Sequence, residues 1–209
     1  MRGLQMSEVL ANYGYKLVKT LPVKTVLDIG CGDGTNMEAL SQLGFNIEGC
    51  DISRLAVKLA KKKGFSAKVV NLNTDILPYR NNSFDLVWCT ETIEHVADPD
   101  FVLTEILRVL KPRGSLFITT PNISWFGNRF QVLLGKTLED LHAEHLHWYN
   151  PRTLHQLLGS KFRIQKEMSY IRIVPFPLTR RVTLLERLNY IGYANSFFSY
   201  SLATLATKE

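Results

Sequence analysis

The sequence is poor in cysteine and contains no long apolar run. Its three cysteines, Cys31, Cys50 and Cys89, include no pair with C-x-x-C spacing. This pattern excludes a disulfide framework and a cysteine-based zinc site, and it predicts buried, reduced thiols in a cytoplasmic protein. No stretch of about 18 uncharged apolar residues occurs, so no membrane span is expected. The first residues also lack the continuous apolar segment of a signal peptide.

A separate basic domain is missing as well. The 209 residues carry a net charge of +6, and their 45% hydrophobic and 21% charged content is ordinary for one globular domain. Lys58, Lys61, Lys62 and Lys63 cluster at the end of a predicted helix, where lysines complement the negative helix terminus. We interpret them as a solvated face. No RNA-binding module is recognisable, so a nucleic-acid partner is not expected.

Strand and helix patterns alternate through the first half of the chain, which predicts right-handed crossovers and a parallel sheet. Strands are predicted at 25–30, 46–51, 67–71, 84–89 and 115–120, and helices at 35–43, 54–63, 99–110 and 151–158. Asp98 and Pro99 mark the start of the third of these helices as N-cap and first turn. The run from Lys111 to Gly114 marks its end.

The flanking segments predict additions to this sheet within a single domain spanning 1–209. Residues 1–19 predict a helical cover, and strands at 162–174 and 198–207 predict an antiparallel edge. The sheet does not require residues 175–197, which we interpret as a lid before the last strand. A basic amphipathic helix at 175–198 could also contact an anionic membrane surface, as an alternative to packing on its own domain.

A glycine turn followed by a distant aspartate is the most informative pattern. Residues 26–35 read VLDIGCGDGT, in which an apolar strand runs into Gly30, Gly32 and Gly34. Such a turn lets the backbone approach a ligand closely. Asp51 ends the next strand about 20 residues later, where a carboxylate can accept both hydrogen bonds of a ribose diol. The alternative for Asp51 is a helix N-cap.

The details of the turn favour a ligand other than NAD. The spacing is G-x-G-x-G, with Thr35 and Asn36 where the dinucleotide fingerprint has its last glycine. Asp33 inside the turn would repel a pyrophosphate, and Asp28 just before it suits a cationic amino group. A ribose, an ammonium group and no phosphate together describe S-adenosylmethionine.

The order of motifs resembles class I S-adenosylmethionine-dependent methyltransferases, in particular the small-molecule branch of ubiquinone-type enzymes. The motifs that carry the resemblance are VLDIGCGDG, Asp51, LPYRNNSFDLV, TETIEHV, EILRVLKPRGSLFITTPN and HLHWYNPRTLHQLL, between residues 20 and 174. The resemblance implies an α/β fold: a Rossmann-like, seven-stranded, mostly parallel sheet with an antiparallel last strand and helices on both faces.

The resemblance also implies the residues that hold the donor. Gly30, Cys31 and Gly32 are expected to face its methionine part, and Asp28 its amino group. Asp51 is expected to bind the ribose, with Ile52 under the adenine.

The contact to the adenine amino group has three alternatives in this sequence. Asn71, Asn73 or Asp75 could occupy the position of the family's aspartate, and an amide oxygen can accept the same bond. We favour Asn71 together with the backbone of Leu72, with Asn73 as a further cofactor residue. Cys89 and Thr90, at the end of the fourth strand, are expected near the sulfonium.

A similar E-x-x-E-H stretch in ubiquinone-type O-methyltransferases lies beside the cofactor and is linked to a divalent metal. Here it comprises Glu91, Glu94 and His95, and its oxygen ligands would favour Mg²⁺. Alternatively, Glu94 and His95 satisfy backbone groups in a turn. We predict a site without metal.

Histidines are the candidates for a general base. His142, His145 and His147 form H-x-x-H-x-H, but no cysteine or second histidine set supports zinc. A histidine pKa near neutrality suits proton removal from a hydroxyl. We therefore predict His145, His147 and His95 as catalytic candidates, with packing or pocket lining as the alternative.

The predicted activity is methyl transfer to a small-molecule acceptor, on O, N or C, by in-line displacement. The sulfonium is already an activated methyl donor, so the protein mainly has to hold the methyl carbon and the acceptor atom in line. The D/N-P-P-Y/F/W loop of amino-directed nucleic-acid enzymes is missing, since residues 89–95 read CTETIEH. The alternatives are an RNA or protein methyltransferase, or a non-catalytic S-adenosylmethionine-binding protein.

Overall fold

The computed structural model describes residues 6–141, 143–171, 190–192 and 197–209. The strands are β1 (Thr25–Ile29), β2 (Asn46–Asp51), β3 (Ser66–Val69), β4 (Phe84–Thr90), β5 (Leu110–Pro121), β6 (Arg163–Ile171), β7 (Tyr190–Gly192) and β8 (Ser199–Thr207). The helices are α1 (Met6–Val18), α2 (Thr35–Gln42), α3 (Arg54–Lys62), α4 (Pro99–Val109), α5 (Phe126–Leu133), α6 (Leu138–Leu141) and α7 (Pro151–Gly159). A 3₁₀ turn occupies Ile93–His95.

The strands form one sheet in the order β3-β2-β1-β4-β5-β8-β6-β7. Neighbours from β3 to β5 are parallel, whereas β8 lies antiparallel between β5 and β6. The predicted mostly parallel sheet with an antiparallel last strand is thus confirmed. A three-residue strand, β7, extends it by pairing antiparallel with the outer edge of β6.

Most predicted elements agree with the structure to within a few residues, and two differences have a local cause. β3 ends at Val69 because Asn71 starts a turn, in which its side-chain oxygen accepts from the N–H of Asn73 at 3.1 Å. β5 begins at Leu110, within the predicted helix, because Leu110 pairs with Phe84 before a register shift. The N-cap is as predicted: Asp98 accepts from the N–H of Phe101 at 3.0 Å.

Both faces of the sheet are covered, as a parallel sheet requires. Val87 and Cys89 of β4 pack into one core with α4, while Leu86 and Trp88 pack into the other with α1. Successive strand side chains point to opposite faces, so residues 86–89 of β4 form an unbroken apolar run. The three cysteines are free and buried, as their sequence context predicted.

The structure describes the two flanking segments to different extents. The expected N-terminal helix is α1, and it lies on the sheet face that contains Trp88. Within the predicted lid, residues 175–189 and 193–196 lie outside the described residues, so the lid and its membrane contact stay predictions. Among the helices that are described, none is long and apolar enough to cross a bilayer.

Candidate functional site

A cavity of about 310 Å³ opens at the carboxyl edge of the parallel strands. In open α/β sheets this edge is where ligands bind, because the loops that follow the strands converge there. The lining residues come from the ends of β1, β2, β3 and β4 and from one distant loop: Gly30, Cys50, Asp51, Ile52, Val70, Asn71, Leu72, Asn73, Glu91, Thr92, His95, Val96 and Glu144.

The glycine turn joins the ends of β1 and β2. The N–H groups of Gly30 and Cys31 both donate to the carbonyl of Cys50, at 2.9 and 3.0 Å. Gly30 has a φ of 72°, and a Cβ there would overlap the side chain of Thr92. Glycine is therefore required at this position on two counts, backbone conformation and close approach.

Asp51 lies at the lip of the cavity and is not the N-cap of α3. Its Oδ2 accepts from the N–H of Gly32 at 2.9 Å, and its Oδ1 accepts from the N–H of Ser53 at 2.8 Å. Ser53 caps α3 instead, by accepting from the N–H of Ala56. Two backbone donors hold the carboxylate in place, and each oxygen retains a lone pair for a ligand hydroxyl.

The adenine side of the cavity distinguishes among the three predicted alternatives. Asn71 and Asn73 line the cavity, whereas Asp75 does not: its carboxylate accepts from the N–H of Asn71 and the hydroxyl of Thr74. The side-chain oxygen of Asn73 is used by the N–H of Ala97 at 2.7 Å. The side-chain oxygen of Asn71 likewise accepts one backbone N–H, that of Asn73, so Asn71 and Asn73 both remain as alternatives and Asp75 is set aside.

Two further features suit a flat, nitrogen-rich ring at this end. The N–H of Leu72 makes no hydrogen bond to the part of the chain that the structure describes. The side chain of Ile52 is 61% exposed beside the cavity, an unusual position for a large apolar group unless a ligand covers it.

Asp28 supplies a test of whether the site fits an ammonium group. The residue is fully buried, and neither carboxylate oxygen accepts a hydrogen bond from the described residues. Burial, together with the nearby charge of Asp51, raises the pKa of Asp28 well above its ordinary value. A buried carboxyl without donors is costly unless a cation reaches it, so the amino group of S-adenosylmethionine fits the donor set. Asp33, in contrast, pairs with Lys63 at 3.0 Å.

Asp28 and the remaining predicted cofactor residues are not among those that line the cavity. Cys31 packs with Met37 in the core under the glycine turn, and Cys89 is fully buried in the core on the α4 side. Burial raises the pKa of the Cys31 thiol to about 12. Gly32 reaches the site through its bond to Asp51, and Thr90 ends β4 half-buried.

Sequence reasoning missed several lining residues. Thr92 and Val96 directly follow β4, and their position after a strand that ends at the site was the available signal. Glu144, by contrast, comes from a distant loop, and no local pattern pointed to it. That loop is held by the carbonyl of Glu94, which accepts from the N–H groups of Leu146 and His147 at 2.8 and 3.0 Å.

Two carboxyl groups lie where β4 ends. Glu91 has a φ of 50° and accepts from the hydroxyls of Thr119 and Ser201, at 2.9 and 3.3 Å. A left-handed conformation is uncommon for a residue other than glycine, and it often marks a functional position. Glu94 is buried, and the hydroxyl of Thr120 is the side-chain group that favours its ionised form. Burial and the charge of Glu91 raise the pKa of Glu94 to about 8.

The three predicted catalytic histidines occupy different positions. His95 lines the cavity, and its Nδ1 lies 2.9 Å from the carbonyl of Glu144. The ring of His145 meets that of His95 edge to face at 4.8 Å. His147 does not line the cavity, and its Nε2 lies 3.3 Å from the carbonyl of Ala97. His142 lies outside the described residues.

A candidate metal set differs from the one that the motif indicated. The ligand atoms of Glu94, His95 and His145 all lie within 4.8 Å of one another. Glu91 is occupied by its two hydroxyl partners instead. Two imidazoles and one carboxylate suit a transition metal better than Mg²⁺, which prefers oxygen ligands.

The raised pKa of Glu94 predicts how the ligand-free protein responds to pH. The unfolded carboxyl ionises above about pH 4.5 while the folded one keeps its proton to about pH 8, so stability falls as pH rises through this window. We expect Glu94→Gln to reduce this slope, to which Asp28 and Glu91 also contribute through their raised pKa values, and to recover about 1–2 kcal/mol of the unfolding free energy that is lost by pH 8. Urea unfolding between pH 5 and pH 8 measures it.

Glu139→Gln is the matched control, because Glu139 is exposed. Its unfolding free energy is expected to follow that of the unmodified protein at every pH. An unchanged slope in Glu94→Gln would show that this carboxyl is ionised in the folded state.

The fold and the cavity define a nucleoside-binding α/β protein with its ligand site at the carboxyl edge of a doubly covered sheet. A family model described as a methyltransferase domain matches residues 27–118. Two ubiquinone biosynthesis O-methyltransferases are similar in sequence. The protein from Xanthomonas campestris pv. campestris (strain B100) is 36% identical over 183 residues, which cover 83% of this chain and 77% of that protein. The one from Xanthomonas oryzae pv. oryzae (strain PXO99A) is 29% identical over 178 residues, covering 81% and 74%.

Solved structures agree at the level of the fold. An S-adenosylmethionine-dependent methyltransferase from Thermotoga maritima, described as a possible histamine N-methyltransferase, matches with a TM-score of 0.71 at 20% identity, covering 97% of this chain and 91% of that one. A second methyltransferase, from Archaeoglobus fulgidus, matches with a TM-score of 0.68 at 19% identity, covering 97% of this chain and 94% of that one. The chain belongs to the class I S-adenosylmethionine-dependent methyltransferases.

Proposed function

We propose that this chain transfers a methyl group from S-adenosylmethionine to a hydroxyl oxygen of an apolar, aromatic small molecule. The observation that carries the proposal is His95, which lines the donor cavity beside the buried carboxyl of Glu94. The name of the Xanthomonas relatives, O-methyltransferase, supports an oxygen acceptor.

The donor would be held by residues that the cavity already orients. Asp51 accepts from the ribose hydroxyls, Asn71 and the N–H of Leu72 face the adenine edge, and Asp28 accepts from the amino group. When bound, the donor supplies an electrophilic methyl group on sulfur. The chain then has to align the acceptor oxygen and receive its proton.

His95 has the geometry of a general base. Its Nδ1 lies 2.9 Å from the carbonyl of Glu144 and donates its proton there, which leaves the lone pair on Nε2. Nε2 lies 4.0 Å from Oε1 of Glu94. Above about pH 8, where Glu94 is ionised, its carboxylate stabilises the imidazolium that forms when Nε2 takes the hydroxyl proton.

A cluster of aromatic side chains lies where α5 begins, beyond β5. Trp125 and Phe126 start α5 just beyond β5, and Tyr200 precedes Ser201, which donates to Glu91. Ring centroids lie 4.9 Å apart between Trp125 and Tyr200, and 5.7 Å apart between Phe126 and Phe197. Such a cluster favours an aromatic acceptor, since stacked and edge-to-face contacts add to the burial of apolar area.

The test measures release of S-adenosylhomocysteine from the full chain with catechols that carry apolar substituents, with histamine, with RNA and with a lysine peptide. We expect methylation of the catechols alone. In His95→Asn, kcat is expected to fall at least about 100-fold while the affinity for S-adenosylhomocysteine stays unchanged. His147→Asn is the control and is expected to retain most of kcat.

Other outcomes identify the alternatives. Methylation of RNA or peptide but not of catechols contradicts the proposal, and donor binding without turnover on any acceptor indicates a non-catalytic protein. The absence of metal from the reaction stays a prediction, as does the cytoplasmic location. Rates that are equal with EDTA and with added Mg²⁺ or Mn²⁺ would support metal-free catalysis, because Glu94, His95 and His145 could otherwise hold a cation.

A further inference from the structure

A chain of hydrogen bonds connects the N-terminal helix with the end of β4. The hydroxyl of Tyr15 in α1 donates to Oδ1 of Asn36 in α2 at 2.6 Å. Nδ2 of Asn36 in turn donates to Oγ1 of Thr90 at 3.1 Å. The three residues come from separate elements and are all partly buried.

The direction of these bonds determines where the hydroxyl proton of Thr90 points. Because Oδ1 of Asn36 accepts from Tyr15, its Nδ2 faces Thr90 as a donor. The oxygen of Thr90 is therefore an acceptor, and its own proton remains for another partner. No acceptor for that proton exists among the described residues.

Thr90 ends its strand beside the glycine turn. Cys89, one residue earlier, pairs with Ile29, and the hydroxyl of Thr92 contacts the carbonyls of both Ile29 and Thr90, at 3.3 and 2.9 Å. Gly30, which lines the cavity, follows Ile29 directly. The strand order β3-β2-β1-β4 thus sets the end of β4 apart from Asn71 and Leu72, which follow β3, on the side of the glycine turn where the amino-acid end of the donor belongs.

We infer that Thr90 donates a hydrogen bond to the carboxylate of the donor's amino-acid end, and that Tyr15 is a positioning residue that orients this donor through Asn36. The amino-acid end carries one group that only donates, the ammonium, and one that only accepts, the carboxylate. Asp28 meets the first requirement and Thr90 the second. The inference rests on the donor site and is independent of the acceptor.

The placement of Tyr15 is set by aromatic packing, which makes it a rigid anchor. Its ring stacks on Trp88 with centroids 5.1 Å apart, and Trp88 stacks on Phe117 at 4.2 Å. Gly14 lets α1 approach these rings, because a Cβ there would overlap Phe117 and Trp88. Replacing Tyr15 by phenylalanine keeps the stack and removes the hydroxyl alone.

The experiment is titration calorimetry with S-adenosylhomocysteine and with 5′-methylthioadenosine, which lacks the amino-acid end. We expect Tyr15→Phe and Thr90→Val to weaken the binding of S-adenosylhomocysteine about three- to tenfold. The affinity for 5′-methylthioadenosine is expected to stay unchanged. The double variant is expected to match Thr90→Val alone, because Tyr15 acts through Thr90. Thr90→Ser keeps the hydroxyl, and its affinity for S-adenosylhomocysteine is expected to match that of the unmodified protein.

Tyr13→Phe is the matched control, because Tyr13 lies on the same helix as Tyr15 and its hydroxyl accepts from Lys166 of β6 instead. Equal losses for both ligands would show a structural role and overturn the inference. Additive losses in the double variant would show that Tyr15 does not act through Thr90. Unchanged affinity in Thr90→Val would show that its hydroxyl does not reach the donor. Thermal unfolding of each variant identifies any that fails to fold.

Discussion

Replacing Asp51 by alanine is expected to weaken S-adenosylhomocysteine binding at least about 100-fold, because two charge-assisted hydrogen bonds to the ribose are lost together. The carboxylate is already held by the N–H groups of Gly32 and Ser53, so little ordering is required when the ligand arrives. Titration calorimetry measures the change.

The contribution of the ribose can be separated from damage to the turn. The unmodified protein is expected to prefer adenosine over 2′-deoxyadenosine, and Asp51→Ala to lose that preference. Asp140→Ala is the control, since Asp140 is exposed on α6 and is not among the residues that line the cavity. If Asp51→Ala still prefers adenosine over 2′-deoxyadenosine, Asp51 does not bind the ribose.

Asp28→Asn is expected to weaken the binding of S-adenosylhomocysteine at least about 30-fold, because the buried amino group of the ligand loses its charged partner. The amide has nearly the same size, so the core around residue 28 stays filled. Binding of 5′-methylthioadenosine, which has no amino group, is expected to change little.

The raised pKa of Asp28 adds a pH dependence with a definite sign. The ligand-free carboxyl holds its proton to a higher pH than usual, whereas the ammonium favours the carboxylate. Binding therefore releases a proton, and affinity falls as pH drops below the raised pKa. Calorimetry in buffers of different ionisation enthalpy detects that proton in the unmodified protein. Its persistence in Asp28→Asn would assign the proton to another group.

Much of the donor site followed from the sequence because its residues adjoin strand ends. Gly30, Asp51 and Asn71 each follow or end a strand, and parallel strands bring those ends to one edge. The roles of individual side chains were harder to predict. Cys31 and Cys89 adjoin the site, yet their thiols pack into the cores. Cys89 does so because a strand residue faces one side or the other according to register, whereas Cys31 lies in the glycine turn and packs against Met37.

Contacts between distant segments could not be predicted in the same way. Glu94 and His145 come together because the loop around residue 146 hydrogen-bonds to the carbonyl of Glu94. Tyr15 and Thr90 are linked only because α1 packs across the sheet onto Trp88. No periodicity or motif encodes such distances.

The sequence by itself determined the class of fold and the chemistry of the donor site, because apolar alternation, glycine turns and acidic strand ends are local properties of a chain. Only the tertiary structure decided which histidine lines the cavity, which carboxyl is buried without hydrogen-bond donors, and which way the Thr90 hydroxyl points. Those properties depend on the packing of segments far apart in the chain, where burial sets the pKa and neighbouring donors set the direction of each hydrogen bond.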